Sequence, residues 1–425
     1  MQSRGSALRL QLSSPAADRI TAAVERWLVP LVPVALVSLS GVADVFCSVL
    51  GILFLVRAVV QRSVAWLYRP WVTSFLILWI YLCLRSIVAA RPLESLGEAA
   101  ILLRYPVFAV AVSQILRNEA DRERLATVTA CSVLFLSADA ILQYCVGYDI
   151  GGQPQLGGVR LTGPFGRPRV GITIAWLFLP PLLALVQRRQ WLWATALGCT
   201  SVLAIVLSGE RMALVTLGLD VVGLLVLLPQ WRRPILAVVG AGAALLILVI
   251  AVKPVIYQRE VASTLQIATR FDQSPYGVIW NSDFAIASEY PIFGVGMKNY
   301  RYVCPDPSFG PLFPVPNFPR CSTHPHNYYV EWLIAGGIPA FVAFVVAMGL
   351  LLRDLVVHGD RRNLLFAGLV ATILMRLWPL APTTSFFLSW SAIPLFLMIG
   401  WALSCLPDKR SGGQQAVAPG IQSAR

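Results

Sequence analysis

Apolar runs of about twenty residues recur along the chain from Trp27 to Leu406, separated by short stretches with charged residues, proline or glycine. A helix of about 20 apolar residues crosses the hydrocarbon core of a bilayer. The pattern therefore predicts an all-α integral membrane protein with about twelve transmembrane helices. The predicted spans are 27–41, 43–60, 71–90, 98–116, 124–146, 170–187, 190–208, 210–228, 232–252, 328–352, 363–380 and 385–406. Only a turn around Gly41 and Asp44 separates the first two, and merging them would give eleven.

The order of the runs also predicts the organisation of the chain. Helices one to nine occupy 1–252, one large loop occupies 253–327, and helices ten to twelve occupy 328–406. The polar tail 407–425 has a composition typical of disordered segments. No polar stretch is long enough for a separate soluble domain of normal size.

Composition and charge agree with this organisation. Hydrophobic residues make up 57% of the chain and charged residues 13%, about half the share of a typical soluble protein. The formal net charge of +13 would suggest nucleic acid in a soluble protein. Here most Lys and Arg residues outside the large loop fall in one set of alternate loops, which predicts that this set is cytoplasmic. We therefore expect the bilayer and not nucleic acid as a partner, cytoplasmic termini and a periplasmic large loop.

Two of the three histidines, His324 and His326, stand together in Thr-His-Pro-His-Asn at the end of the large loop. Imidazole, with an unperturbed pKa near 6.5, suits a general base at neutral pH. Two alternatives stay open: a proline-stiffened turn in which the imidazoles cap the next helix, and a metal site. The spacing of the two histidines matches none of the usual zinc motifs. The third, His358, is expected to be a solvated residue of an inner loop.

Arginines form a second group of candidates, because Arg85, Arg104, Arg211 and Arg376 fall within or at the outer ends of predicted spans. An arginine near the centre of a membrane helix costs about 2.5–3.5 kcal/mol. Such side chains should face a polar cavity or an anionic ligand, although Arg85 and Arg376 could also extend to the headgroups. Arg211 ends the tight turn Ser208–Arg211, where Glu210 could orient it, and a guanidinium fork matches a pyrophosphate.

Two further features lie in predicted outer loops. The connection 157–169 combines glycines with Arg160 and two other arginines and either binds an anion or forms an ordinary turn. Cys304 and Cys321 are the only two of the eight cysteines in the large loop, and an oxidising periplasm would favour a disulfide between them.

Short motifs in a fixed order resemble those of the O-antigen ligase and O-antigen polymerase superfamily over roughly residues 155–345. The motifs are Arg160, Gly163 and Phe165; Ser208–Arg211; Pro291–Gly296; and His324–Asn327 followed by Glu331 and Gly336–Pro339. The chain departs from the superfamily in two places. Arg167-Pro168-Arg169 stands where members often have Asn-Pro-Asn, and Arg270 is the nearest counterpart of the loop arginine.

The resemblance implies a bundle like those of the GT-C glycosyltransferases and a metal-independent glycosyl transfer without a cofactor. The donor would be a glycan on undecaprenyl pyrophosphate, used at the periplasmic face of the inner membrane. The resemblance also implies catalytic roles for Arg211 as the pyrophosphate contact and His326 as the base, with His324 in support. Together with the placement of arginines in predicted spans, it gives as candidates for phosphate or sugar contact Arg160, Arg270, Arg376, Arg104, Arg85 and Asn327.

Elementary chemistry fits these roles. A glycosyl pyrophosphate is already activated, so its departure needs stabilisation of charge, whereas the acceptor hydroxyl needs a base. This combination predicts inversion by a single displacement at the anomeric carbon.

Several functions share this outline. A ligase joins the glycan to lipid A-core, a polymerase joins repeat units, and a protein ligase transfers to Ser or Thr. One dominant outer loop without an extra C-terminal domain favours the ligase. A transporter of twelve spans is the alternative from another class, but it more typically has its long connection inside, between two halves.

Overall fold

The computed structural model describes residues 15–158, 160–252, 262–316, 318–380 and 384–407. Helices dominate these ranges, which contain isolated bridges but no strand. The predicted disorder of the tail falls beyond Pro407, outside the described residues, as does the start of the predicted large loop at 253–261.

The first eleven α-helices lie before the large loop. They are α1 Pro15–Ser38, α2 Ser40–Val60, α3 Pro70–Ser86, α4 Pro92–Leu102, α5 Arg104–Ile115, α6 Glu119–Val146, α7 Val170–Leu177, α8 Leu179–Gln187, α9 Trp191–Ser208, α10 Arg211–Leu227 and α11 Arg232–Val252. The loop contains α12 Ser263–Thr269, α13 Pro275–Glu289 and α14 Tyr300–Val303. After it come α15 Tyr328–His358, α16 Leu364–Arg376 and α17 Ser389–Ser404.

Apolar helices make the chain a multi-pass membrane protein, but the predicted number of twelve spans is not confirmed. Six helices in the described ranges are long and apolar enough to cross a bilayer: Gly41–Val60, Pro92–Ile115, Glu119–Val146, Val170–Gln187, Trp191–Ser208 and Tyr328–His358. A pair bent by 111°, Arg211–Leu227 with Pro229–Ala244, is a seventh candidate. Each of the other predicted spans overlaps a helix, and three of these helices, α3, α16 and α17, are apolar but shorter.

Helix α17 lies at the centre of the bundle, with every residue from Ser391 to Ser404 buried. It packs against α5, α16 and α2. Gly400 permits the close approach of α5, because a Cβ at this position would lie 2.6 Å from the carbonyl oxygen of Ala109. Burial on all sides explains why α17 is apolar throughout rather than along one stripe.

Helix α15 is broken at Gly337, whose φ of 70° and ψ of −168° are accessible almost only to glycine. The break, followed by Pro339, leaves backbone groups without partners inside the helix. The loop segment Pro291–Gly296 supplies them: Val295 N–H donates to the Ile334 carbonyl at 2.8 Å, and Ile338 N–H donates to the Pro291 carbonyl at 2.8 Å. We call this backbone pairing of the loop segment with the broken helix the clasp.

Two side chains of α3 complete the clasp. The Arg85 guanidinium donates to the carbonyls of Phe293 and Gly294, both at 2.8 Å, and the Tyr81 hydroxyl donates to the Gly336 carbonyl at 2.6 Å. Arg85, a predicted substrate contact, therefore holds the large loop on the bundle, where buried carbonyls need donors.

Gly337→Ala is expected to lower the melting temperature of the purified protein by several degrees. The backbone conformation costs a residue with a Cβ about 1–3 kcal/mol, and that Cβ would also collide with the Ile292 carbonyl. Gly349→Ala in the same helix is the matched control, because a Cβ there meets no atom within 4 Å. Equal melting temperatures for the two variants in the same detergent would contradict this account of the clasp.

A disulfide joins Cys304 and Cys321, with their Cα atoms 5.7 Å apart. The buried side chain of Arg320 fills the loop between them and donates to the carbonyls of Cys304, Asp306 and Gly310. The segment between the two cysteines is thus closed by a covalent bond. It packs around the guanidinium of Arg320, whose hydrogen bonds to these carbonyls replace hydrogen bonds to water.

Candidate functional site

A cavity of about 260 Å³ lies among the first residues of α7, α10 and α15, the ends of α16 and α17, and the large loop. Its lining includes three of the predicted arginines and both clustered histidines: Arg160, Arg211, Arg376, His324 and His326. Segments far apart in the chain therefore place guanidinium and imidazole groups around one space. The only carboxylate among the lining residues is that of Glu210.

Arg211 is the first residue of α10, directly after a tight turn at the end of α9. The turn reverses the chain at Gly209, whose φ of 66° lies in the left-handed region. Arg211 is half-buried on the cavity wall, and the N-terminus of α10 adds its unpaired N–H groups and positive dipole end. This end of α10 is therefore suited to an anion.

Glu210 fixes the position of this turn. Its carboxylate accepts hydrogen bonds from the backbone N–H groups of Gly171 at 2.8 Å and Ile172 at 3.3 Å, in the first turn of α7. The sequence suggested Glu210 as a group that orients Arg211. The structure shows that it caps α7 and so ties the turn carrying Arg211 to a second helix.

The two imidazoles lie together just before α15, with ring centroids 4.7 Å apart. Ser322 Oγ lies 3.3 Å from Nε2 of His326, and Thr323 Oγ1 lies 3.0 Å from Nδ1 of His324. The ring of Tyr276 packs edge-on against the ring of His326, with ring centroids 6.4 Å apart. Neighbouring hydroxyls and rings therefore fix the orientation of both histidines.

Asn327, and not a histidine, caps α15. Its side-chain oxygen accepts from the N–H groups of Tyr329 and Val330, and its amide donates to the Pro379 carbonyl at 2.6 Å. Asn327 is absent from the described lining of the cavity, so the structure does not place this predicted substrate contact there. Its bonds set the direction in which the chain leaves His326.

Burial, the neighbouring His326 and Arg301 lower the pKa of His324 to about 4. The ring is therefore neutral at pH 7. Its Nε2 is buried and has no hydrogen-bond partner among the residues that the structure describes. A bound molecule could supply that partner.

Arg376 is buried, with 4% of its surface exposed, so the alternative that it extends to the headgroups is excluded. Its Nη2 donates to the Tyr328 hydroxyl at 2.9 Å and the Ser391 carbonyl at 2.7 Å. Its guanidinium carbon lies 3.6 Å from the centroid of Trp176. Nη1 has no partner within the described part of the chain. Arg376 thus keeps donor capacity for a ligand.

Sequence reasoning missed the aromatic residues that hold Arg376. Trp176 stacks on Trp390 with centroids 5.5 Å apart, and the Arg169 guanidinium lies 4.9 Å from the Trp390 centroid. We call Arg169, Trp390, Trp176 and Arg376 the ladder. Cation–π attraction fixes two arginines in it without consuming their N–H donors. The Arg167-Pro168-Arg169 departure was the only sequence signal.

Trp176→Leu is expected to reduce the activity of this site about five- to thirtyfold, because a desolvated cation–π contact contributes about 1–2 kcal/mol. Trp176→Phe keeps an aromatic face and should retain more activity. Trp193→Leu, which removes an exposed tryptophan of α9, is the matched control. Equal rates for Trp176→Leu and Trp193→Leu would show that the ladder does not contribute to the activity.

Three predicted arginines lie outside the described lining of this cavity. Arg85 belongs to the clasp, and Arg270 is exposed between α12 and α13. Arg104 pairs with Asp44 at 3.0 Å and donates to Ser389 Oγ at 3.0 Å. Arg104 therefore has partners inside the bundle that satisfy its charge.

Part of the chain that lines this cavity is similar to a known protein family. A family model described as O-antigen ligase matches residues 195–345, which contain Arg211 and both clustered histidines. No curated protein sequence matches the chain. The match confirms the resemblance inferred from the motifs: residues 195–345 are similar to the O-antigen ligase family.

Proposed function

We propose that the chain transfers O-antigen polysaccharide from undecaprenyl pyrophosphate to lipid A-core at the periplasmic face of the inner membrane. The family match supports a membrane enzyme that transfers glycosyl groups. One observation carries the proposal: a single cavity combines three guanidinium groups with two imidazoles. Cations and bases together are what a glycosyl pyrophosphate and an acceptor hydroxyl require.

The guanidinium groups of Arg160, Arg211 and Arg376 receive the pyrophosphate. Arginine donates to phosphate oxygens in bidentate fashion and stays charged, so the three residues stabilise the negative charge that develops on the leaving group. Arg376 lines the cavity, is held in place by the ladder, and has no partner for Nη1 among the described residues. A donor that is fixed in advance lowers a barrier because it does not have to reorganise. Arg160, Arg211 and Arg376 supply positive charge to the cavity.

His326 acts as the general base. It takes the proton of the acceptor hydroxyl while that oxygen forms a bond to the anomeric carbon and the bond to the pyrophosphate breaks. His324 supports it as a neutral neighbour. A single displacement of this kind inverts the configuration at the anomeric carbon.

Purified protein in lipid nanodiscs, given a synthetic undecaprenyl-pyrophosphate-linked glycan and lipid A-core, tests the proposal. We expect a glycan joined to lipid A-core with inverted anomeric configuration, formed equally well in EDTA. Joining of repeat units without modification of lipid A-core would replace the ligase by a polymerase. Activity lost in EDTA and restored by a divalent ion would replace the mechanism by a metal-assisted one.

Lipopolysaccharide gels of a deletion strain give an independent readout. Core without a ladder supports the ligase, core with one repeat unit supports the polymerase, and an unchanged pattern contradicts both.

A further inference from the structure

A second cavity of about 100 Å³ lies beside the first one, on the other side of His324. His324 is common to the linings of the two cavities, whereas His326 lines only the first. The second cavity is bounded by the end of the loop, by α4 and by the first turns of α15. We call the two spaces the arginine cavity and the second cavity.

Charges of both signs surround the second cavity. Glu98 forms an ion pair of 3.0 Å with Lys298, and its side chain is 15% exposed. The Arg301 side chain is exposed and also borders the space. These groups offer hydrogen-bond acceptors and donors along one rim.

An apolar wall faces these charges. It is formed by Ile334 and Ala335 of α15 and by Phe387 and Leu388. The carboxylate of Glu331 closes the inner end and accepts from Ser385 Oγ and Phe386 N–H, which fixes the segment that carries the wall. A polar rim opposite an apolar wall matches a sugar ring, whose hydroxyls lie at its edge and whose C–H groups form an apolar face.

The second cavity is less suited to the pyrophosphate than the arginine cavity. Its described lining carries Lys298, which is already paired with Glu98, and Arg301. The arginine cavity carries three arginines and one carboxylate, so it attracts a dianion more strongly. The two cavities therefore favour two kinds of ligand, and His324 borders both of them.

We propose that the second cavity binds the sugar ring of the acceptor, an inference that rests on the proposed function. The ring hydroxyls bond with Glu98 and Arg301, and the reacting hydroxyl extends past His324 to His326. There its oxygen forms the new bond to the anomeric carbon, its proton passes to His326, and the electron pair of the broken bond leaves with the pyrophosphate. His324 positions the acceptor by completing the hydrogen bond that its Nε2 lacks among the described residues.

The disulfide holds the two sides of the second cavity together. Tyr300 and Arg301 come just before Cys304, and Thr323 and His324 come just after Cys321. The bridge joins the two chain segments that border the cavity at their bases, so it limits how far these segments can separate.

Binding of the delipidated core oligosaccharide to the full-length protein without donor tests the proposal directly. Glu98→Gln and Arg301→Gln should each raise the dissociation constant for this oligosaccharide, and the acceptor KM, about tenfold, the effect of losing a hydrogen bond to a charged group. The donor KM should stay within twofold. Arg160→Gln should raise the donor KM and leave the oligosaccharide dissociation constant and the acceptor KM within twofold, since Arg160 lines only the arginine cavity.

Arg233→Gln, an exposed arginine of α11 away from both cavities, controls for the change in surface charge. Unchanged oligosaccharide binding in both rim variants would overturn the proposal, as would a rise in donor KM alone. Binding needs no transfer, so the two proposals fail separately: wild-type protein that binds the oligosaccharide through Glu98 and Arg301 but transfers no glycan contradicts only the proposed function.

Discussion

Replacing His326 by alanine is expected to slow glycan transfer about 10²–10⁴-fold, the usual cost of removing a general base. The imidazole lines the arginine cavity together with Arg211 and Arg376. In the proposed mechanism, it takes the proton of the acceptor hydroxyl as the new bond forms. The fall should appear in kcat, because the base acts in the transition state and contributes little to binding the donor. Initial rates with the synthetic donor and lipid A-core measure it.

His358→Ala is the matched control, since His358 is exposed and pairs with Asp354 at the far end of α15. Both variants should melt at the wild-type temperature and bind the donor as the wild-type protein does. A wild-type rate from His326→Ala would remove His326 as the base. His324→Ala should instead raise the acceptor KM more than it lowers kcat.

Arg211→Lys is expected to lower transfer about 10²–10³-fold, the cost of removing one preorganised donor to a developing anion. Lysine preserves the charge but offers a single point of attachment, so it cannot reproduce the bidentate fork on a pyrophosphate. Arg211 is half-buried at the start of α10, where a lysine side chain also fits. The variant should therefore fold normally, and a lower rate would report the loss of the bidentate contact.

The corresponding control is Arg353→Lys, an exposed arginine of α15 away from the cavities. It should transfer glycan at the wild-type rate. If Arg211→Lys also keeps that rate, the pyrophosphate contact belongs to another residue, and Arg160 and Arg376 are the remaining arginines on the wall.

Some residues of the arginine cavity could be predicted from the sequence, because a short local motif identifies them. A tight turn before α10 exposes Arg211, and the His-Pro-His run precedes α15 directly. The protein partners of Arg85 and Arg104 were not predictable, because they are distant in sequence. Arg85 bonds a carbonyl 208 residues away, and Arg104 bonds a serine 285 residues away. The cost of burying arginine predicts that a partner exists but does not say whether it is protein or ligand.

The number of spans is not confirmed, for a different reason. Hydropathy counts apolar residues, whereas the length of a helix depends on where it ends. Predicted spans three, eleven and twelve contain α3, α16 and α17, which have 17, 13 and 16 residues. Helix α16 ends at Arg376, shortly before Pro379, and proline lacks the N–H that continues a helix, so an apolar run can hold a helix shorter than itself.

The clasp has a consequence for how such a protein can diverge. Its bonds between loop and helix run from backbone to backbone, and the close contacts at Gly294 and Gly337 exclude a Cβ. Exchanging exposed side chains elsewhere in the loop therefore leaves these backbone bonds intact. The rim of the second cavity, with Lys298 and Arg301, belongs to that exchangeable portion. One scaffold can thus acquire a preference for a new acceptor through a few surface substitutions, while the reaction centre keeps its position.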